Sequence, residues 1–192
     1  KGFLRLERFT NGKMKQPSCQ VQKETAVIAA LHARGIAVPA VYAHSDELHA
    51  TLFERVPGHD GIHELKDAQQ QSEIAKDFMR QLAQVHGLSV GGLDLPELPR
   101  PDSAEEYALA GIDELERSYA SSVTIPDPLA LLTFQWLRRN IPAPPTRPAL
   151  LQGDTGPGNF VFVDDRVSAI LDWEQAHIGD PIEDLGHLYS RA

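Results

Sequence analysis

The chain has one cysteine, Cys19, in 192 residues, which excludes an internal disulfide. That usage fits a reducing compartment, and a cytoplasmic location is the expectation. Positive charge is scarce as well: 18 Lys and Arg against 27 Asp and Glu give a net charge of −9. This balance argues against nucleic acid or an anionic membrane as the main partner. No apolar run is long enough to span a bilayer. The 8 histidines do not fall at ligand spacings such as His-x-x-x-His, so no structural zinc is expected. There is no internal repeat and no low-complexity tract. The remaining composition is that of an ordinary globular protein, 42% hydrophobic and 23% charged, enough for one sizeable core or two small lobes.

The most informative stretch runs over residues 150–174. Leu150 and Leu151 lead through Gln152-Gly153 to Asp154, followed by Thr155-Gly156-Pro157-Gly158-Asn159. Gly156, Pro157 and Gly158 can continue neither a helix nor a ladder, so the backbone must turn. Residues 160–163 and 167–171 are short apolar runs split by Asp164-Asp165-Arg166, which is a hairpin signal. Such a hairpin returns Asp172 to the neighbourhood of Asn159 and Asp154. Alone, each Asp or Asn here reads as a turn former. The trio flanking a hairpin points instead to an oxygen-rich site for a hard cation such as Mg²⁺, which takes one or two carboxylates plus substrate phosphates. The Asp-x-x-x-x-Asn spacing is that of a kinase catalytic loop. There Asp accepts the acceptor's hydroxyl proton, Asn binds metal, and a later Asp holds the metal on the phosphates.

Gln152-Gly153-Asp154 with Asn159, then Ile170-Leu171-Asp172-Trp173-Glu174, then Gly179-Asp180-Pro181 with Glu183-Asp184-Leu185-Gly186, closely resemble the aminoglycoside phosphotransferase family. The pattern is most similar to the branch found near, or fused to, acyl-CoA dehydrogenases. The motif match covers about residues 150–188, and the rest agrees in order and pattern.

The resemblance implies an α+β, protein-kinase-like fold of two lobes. Residues 1–56 would be part of the N-lobe, and residues 57–192 the helical C-lobe with the catalytic hairpin. It also implies Mg²⁺-dependent transfer of a γ-phosphoryl group from ATP or GTP to a small-molecule hydroxyl. Nucleotide and acceptor would be its partners, with neither nucleic acid nor membrane among them. Asp154 would be the base, and Asn159 and Asp172 the metal ligands. Asp184 would buttress the catalytic loop. Glu174 is open between a place behind the metal and a structural anchor. Gln152 stands where the family usually has His.

Nearer the start, Arg5 falls where the family carries a basic residue facing the phosphates, with Glu24 as its ion-pair partner. A surface Arg on an edge strand and a solvated helix Glu is the other reading. Phe53, Glu54 and Val56 take the place of the hinge that meets the nucleotide base. The kinase Gly-rich loop would precede this basic strand, and further helices would follow the last. The sequence is therefore expected to be a fragment, and a poor catalyst without its flanking segments. Two alternatives stand beside the kinase reading. One is a nucleotide-binding pseudokinase without turnover. The other, a metal-dependent phosphoesterase, needs more ligands than the sequence offers.

Periodicity supplies the other elements. Residues 2–7 alternate as a strand, with a turn at Thr10-Asn11-Gly12. A helix is expected over residues 20–34, stopped by Gly35, and a strand over 51–56. A second helix spans 67–85 with Ile74, Phe78, Leu82 and Val85 inward, and His86 near its end is read as a cap or core residue. A third opens at Ser103 with Ala108, Ile112 and Leu115 inward. A fourth spans 126–140 with Leu129, Leu132, Thr133, Trp136 and Leu137 on one face and Trp136 in the core. Pro142, Pro144, Pro145 and Pro148 make a stiff connector. A last helix starts at Pro181, capped by Asp180.

Overall fold

The computed structural model describes residues 1–6, 9–10, 13–14, 20–96, 98–101, 103–141 and 147–191. Glu7, Cys19, the turn at Asn11-Gly12 and Pro142, Pro144 and Pro145 lie outside them.

Near the start, β1 (Gly2–Leu6) pairs antiparallel with β5 (Ala50–Glu54), and β4 (Val41–Ser45) pairs with the other side of β5. Two short strands, β2 (Phe9–Thr10) and β3 (Lys13–Met14), pair with each other. The order β1-β5-β4 makes β1 an edge strand, as expected. Behind the sheet packs α1 (Gln20–His32), which buries Val27, Ile28 and Leu31 together with Phe53 of β5. Its inward face also carries Glu24 and Thr25. Thr25 is satisfied by Val21 O and Thr51 Oγ1, each 2.6 Å from its hydroxyl. Gly35 stops the helix at φ 74°, a conformation a side chain resists.

The larger part is built on α2 (Ala68–Gly87). Asp67 caps it by accepting the Gln69 N–H at 2.8 Å, and Ile74, Phe78, Leu82 and Val85 form its buried stripe. Phe78 stacks on Phe160 with ring centroids 4.7 Å apart. Against this helix lie the short strand β6 (Ala149–Leu151) and the hairpin of β7 (Phe160–Val163) and β8 (Arg166–Ile170). The sequence does not announce β9 (His177–Gly179), which pairs with β6, so Gly179 closes a strand before the turn at Asp180. The last helix is α5 (Pro181–Arg191), whose first turn is capped by Asp180 on the Ile182 N–H. The two parts are tied by a backbone bond from Ile170 N to Ala37 O, and within the larger part His59 and Phe162 exchange backbone bonds. Among the described residues, no helix is long and apolar enough to cross a membrane.

The helical hairpin of α3 (Ala104–Ser122) and α4 (Pro128–Arg139) corrects the expected faces. Leu129, Leu132 and Trp136 are 70, 61 and 62% exposed, and Leu115 of α3 is 57% exposed. Phe134 is the residue α4 buries, against Tyr119 of α3 at 5.7 Å between ring centroids. Arg138 completes the contact by bridging Asp113 and Glu116. Polar anchors on α3, rather than the larger apolar stripe, set the rotation of α4. Expected bounds move slightly elsewhere: the strand predicted over 51–56 ends at Glu54, and the helix predicted from 126 starts at Pro128 with Asp127 as its cap.

Asp77 holds α2 to the hairpin. Its buried carboxylate accepts the Val167 N–H at 3.0 Å, Arg166 at 2.9 Å, Arg80 at 2.8 Å and the Gln81 amide at 3.3 Å. Burial pushes its carboxyl up. The Val167 N–H, Arg166 and Gln81 outweigh that and hold it below the ordinary carboxylate range. A depressed pKa contributes stability above the unfolded value, about 3.9, and this is lost as pH falls through the folded value. Asp77→Asn is therefore expected to cost about 1–3 kcal/mol in urea unfolding near pH 7, with the gap to wild type narrowing in acid. An equal gap at pH 7 and pH 3 would contradict this account.

Candidate active site

The site begins where β6 leaves the core. Ala149, Leu150 and Leu151 are buried, and the chain then turns at Gly153 with φ 83°. A Cβ at Gly153 would lie 2.4 Å from Gln175 O, so only glycine fits between the two loops. Asp184, fully buried on α5, fixes this turn. Its Oδ2 accepts the Gln152 N–H at 3.0 Å and its Oδ1 the Gly153 N–H at 2.9 Å. His86, at the end of α2, also reaches Asp184 Oδ2, at 2.8 Å. A buried carboxylate is tolerable when its lone pairs are filled in this way.

Gln152 is equally buried and uses both ends of its amide. Its Nε2 donates to Leu171 O at 3.0 Å and Asp172 O at 2.8 Å. Its Oε1 accepts the Asp154 N–H at 2.9 Å. One side chain thus pins the loop carrying Asp154 to the strand end carrying Asp172. The second pin matters because Asp172 has φ 56°, a left-handed conformation uncommon outside glycine.

Asp154 faces α5. Its Oδ2 accepts Asn159 Nδ2 at 2.7 Å, and the same Nδ2 also bonds Asp154 O at 2.6 Å. Its Oδ1 meets Arg191 Nη2 at 2.6 Å and His187 Nε2 at 3.5 Å. Leu171 N bonds Asn159 O at 2.8 Å, so the hairpin returns as the sequence indicates. Asn159 and Asp172 line a cleft of about 290 Å³ between the β1-β5-β4 sheet and the hairpin. Asp154 touches Asn159 from outside that cleft.

Across the cleft stands Arg5. Its Nε lies 2.9 Å from Glu24, and its Nη2 contacts Asp172 at 3.4 Å and also Glu174. Glu24 is not a solvated surface group: it is 3% exposed, and its Oε2 finds no well-aligned hydrogen-bond donor despite the nearby guanidinium. Burial raises its carboxyl to about 7, with Asp172 and Glu174 adding to the rise and Arg5 and the Trp173 N–H opposing it. Three carboxylates share one guanidinium, with Lys23 near Glu24 and Glu174, and they still outnumber the cations around them, a setting that favours a cation. Phe53, Glu54 and Val56 line the same cleft with Phe3, Ile28 and Leu171. Its walls thus mix apolar and charged side chains.

The structure therefore gathers Arg5, Glu24, Asn159, Asp172 and Glu174 on one side, with Gln152 and Asp184 holding them from below. Among the described residues no three His, Cys, Asp or Glu side chains stand at metal-ligand distance. Asp172 and Asn159 still suit Mg²⁺, which takes few protein ligands when phosphates supply the rest. Asn159 spends its Nδ2 on Asp154 and so has its carbonyl oxygen to offer a cation. Sequence reasoning missed His86, His187 and Arg191. His187 and Arg191 follow Asp184 by three and seven residues, a spacing that puts all three on one helix face and could have flagged them.

Residues 7–192 match the phosphotransferase enzyme family. A human relative, acyl-CoA dehydrogenase family member 11, is 28% identical over 97% of this chain and 25% of its own length. The chain spans about a quarter of the length of the curated relatives it matches. Among solved structures, a protein of Ralstonia eutropha assigned as an aminoglycoside phosphotransferase has TM-score 0.73 at 24% identity, covering 90% of this chain and 55% of that one. A ternary complex of such a phosphotransferase with streptomycin and ATP has TM-score 0.61 at 18% identity, covering 89% of this chain and 60% of that one. These likenesses show the fold, which is the protein-kinase-like α+β fold expected.

Removing the buttress should loosen the loop. Asp184→Ala leaves the Gln152 and Gly153 N–H groups and His86 unpaired in the interior, which is expected to cost about 3 kcal/mol or more in urea unfolding. Amide exchange at Gln152 and Gly153 should rise with it. Unchanged protection at those two amides would remove Asp184 from this role.

Proposed function

Because the chain belongs to the phosphotransferase enzyme family, we propose that it moves the γ-phosphoryl group of ATP or GTP to a hydroxyl of a small molecule. Residues 1–56 form the nucleotide-side lobe in this reading, and residues 57–192 the lobe that carries the chemistry. One observation carries the proposal: Asn159 belongs to both halves of the site. Its Nδ2 holds Asp154 at 2.7 Å while the residue lines the cleft beside Asp172. A base and a metal-binding pair joined through one amide is the arrangement phosphoryl transfer needs. The similar structure with ATP and streptomycin bound supports a nucleotide acting together with a small molecule.

The base end of the nucleotide lies against Phe53, Glu54 and Val56, and its phosphates reach toward Arg5. Arg5 is held by Glu24, so its guanidinium can turn from Asp172 and Glu174 to phosphate oxygens without leaving its place. Arg forms bidentate pairs with phosphate well. Asp172 and the side-chain Oδ1 of Asn159 would hold Mg²⁺, which would supply charge neutralisation for the transferring phosphoryl group. Asp154 accepts the acceptor's hydroxyl proton as the new O–P bond forms. The chain's own contribution is positioning and charge placement. Glu174 pairs with Arg5 until phosphate takes its place.

Asp154→Asn is expected to leave folding and Mg·nucleotide binding nearly intact and to reduce turnover about 10²- to 10⁴-fold. Labelled ATP with a panel of small alcohols, sugars and hydroxyacyl compounds measures this, and normal turnover by the variant would exclude Asp154 as the base. Asp172→Ala should weaken Mg²⁺-dependent nucleotide binding more than Asn159→Ala, because a carboxylate brings full charge and an amide a dipole. Calorimetric titration separates the two, and wild-type affinity in Asp172→Ala would end the assignment.

A further inference from the structure

Asp154 is engaged on two sides, and the two oxygens are not equivalent. A carboxylate offers roughly four lone-pair positions, two on each oxygen. Oδ1 faces Arg191 Nη2 at 2.6 Å and His187 Nε2 at 3.5 Å. Oδ2 meets Asn159 Nδ2 at 2.7 Å. His187 Nδ1 lies 3.1 Å from Thr155 O, which can only accept, so Nδ1 carries a proton and fixes the ring across the loop. Arg191 runs over Gly156: a Cβ there would lie 2.9 Å from Arg191 Cδ. The bare glycine leaves the track that the arginine occupies. Both residues come from α5, whose Asp184 already holds the loop backbone. One helix face thus grips the loop at its backbone and at its reactive side chain.

Resting on the reading of Asp154 as the base, we propose that Arg191 is a positioning residue for it. Arg191 engages Oδ1 and leaves the open lone pair of Oδ2 to receive the acceptor proton. In that step the acceptor O–H bond breaks and an Oδ2–H bond forms. The acceptor oxygen bonds phosphorus, and the bond from phosphorus to the nucleoside diphosphate breaks. Asn159 approaches the same Oδ2, so the acceptor hydroxyl is drawn to the side of Asp154 that faces the metal-binding pair. Without Arg191 the carboxylate can rotate about its χ2, which is broad for Asp, and turn its open lone pair away from the acceptor hydroxyl. A misplacement of about 1 Å is enough to cost roughly 10²-fold in rate.

The test uses the full-length protein with Mg·ATP as donor and water, small alcohols and sugars as acceptors. Arg191→Gln should lower kcat about tenfold to a hundredfold, with KM for ATP, calorimetric affinity for Mg·ADP and thermal midpoint unchanged. Arg191→Lys should recover part of the loss, because a cation returns to Oδ1 without the planar fork. Gly156→Ala should lower kcat in the same direction by crowding the arginine. A kcat for Arg191→Gln within twofold of wild type, where Asp154→Asn loses about 10²-fold or more, overturns this inference and leaves the function standing. A fall in Mg·ADP affinity or thermal midpoint together with kcat makes Arg191 structural and also overturns it. A wild-type protein with no phosphate transfer sensitive to Asp154→Asn removes the function itself, and the inference with it.

Discussion

The site depends on one buried carboxylate. Asp184 has no solvent exposure, and its oxygens are filled by two loop amides and by His86. A charge in that place is tolerated only with its donors present. The cost of leaving any of them unpaired is what gives the loop one conformation. The constraint passes outward through Gln152, whose amide joins the backbone of Asp154 to the carbonyls of Leu171 and Asp172. Two segments of chain are therefore fixed to each other by hydrogen bonds beneath the candidate site.

Charge in the cleft is left unbalanced, in contrast to the base of the site. Arg5 is shared by Glu24, Asp172 and Glu174, and burial lifts Glu24 to about 7. Such an arrangement contributes little to stability, since desolvation offsets much of the attraction. It makes sense as a place awaiting another cation and the anions that come with it. The rigid floor and the electrically incomplete cleft are complementary: the first holds geometry, and the second is where the proposed ligands would bind.

Much of the site was legible in the chain because its parts lie close in sequence. The Asp154-to-Asn159 loop, the hairpin and the return to Asp172 are local features, and turn residues with β-branched strands determine them. The stripe of Ile74, Phe78, Leu82 and Val85 was equally plain, since a helix with one apolar face has one way to bury it. The family resemblance supplied the partnership of Arg5 with Glu24 and the buttress at Asp184. The faces of α4 were not legible. Leu129, Leu132 and Trp136 look inward by composition, yet Phe134 and Arg138 make the contact with α3. Apolar spacing identifies a stripe but not what lies opposite.

The sequence by itself determined the order of elements, the loop and the positions of Asp154, Asn159 and Asp172, through local backbone preferences that need no distant partner. The tertiary structure alone decided what surrounds them. It placed Arg191 and His187 on Asp154, His86 on Asp184, and the Gln152 amide between two loops. These contacts join residues of different elements, and which side chains meet there depends on how the helices and strands pack.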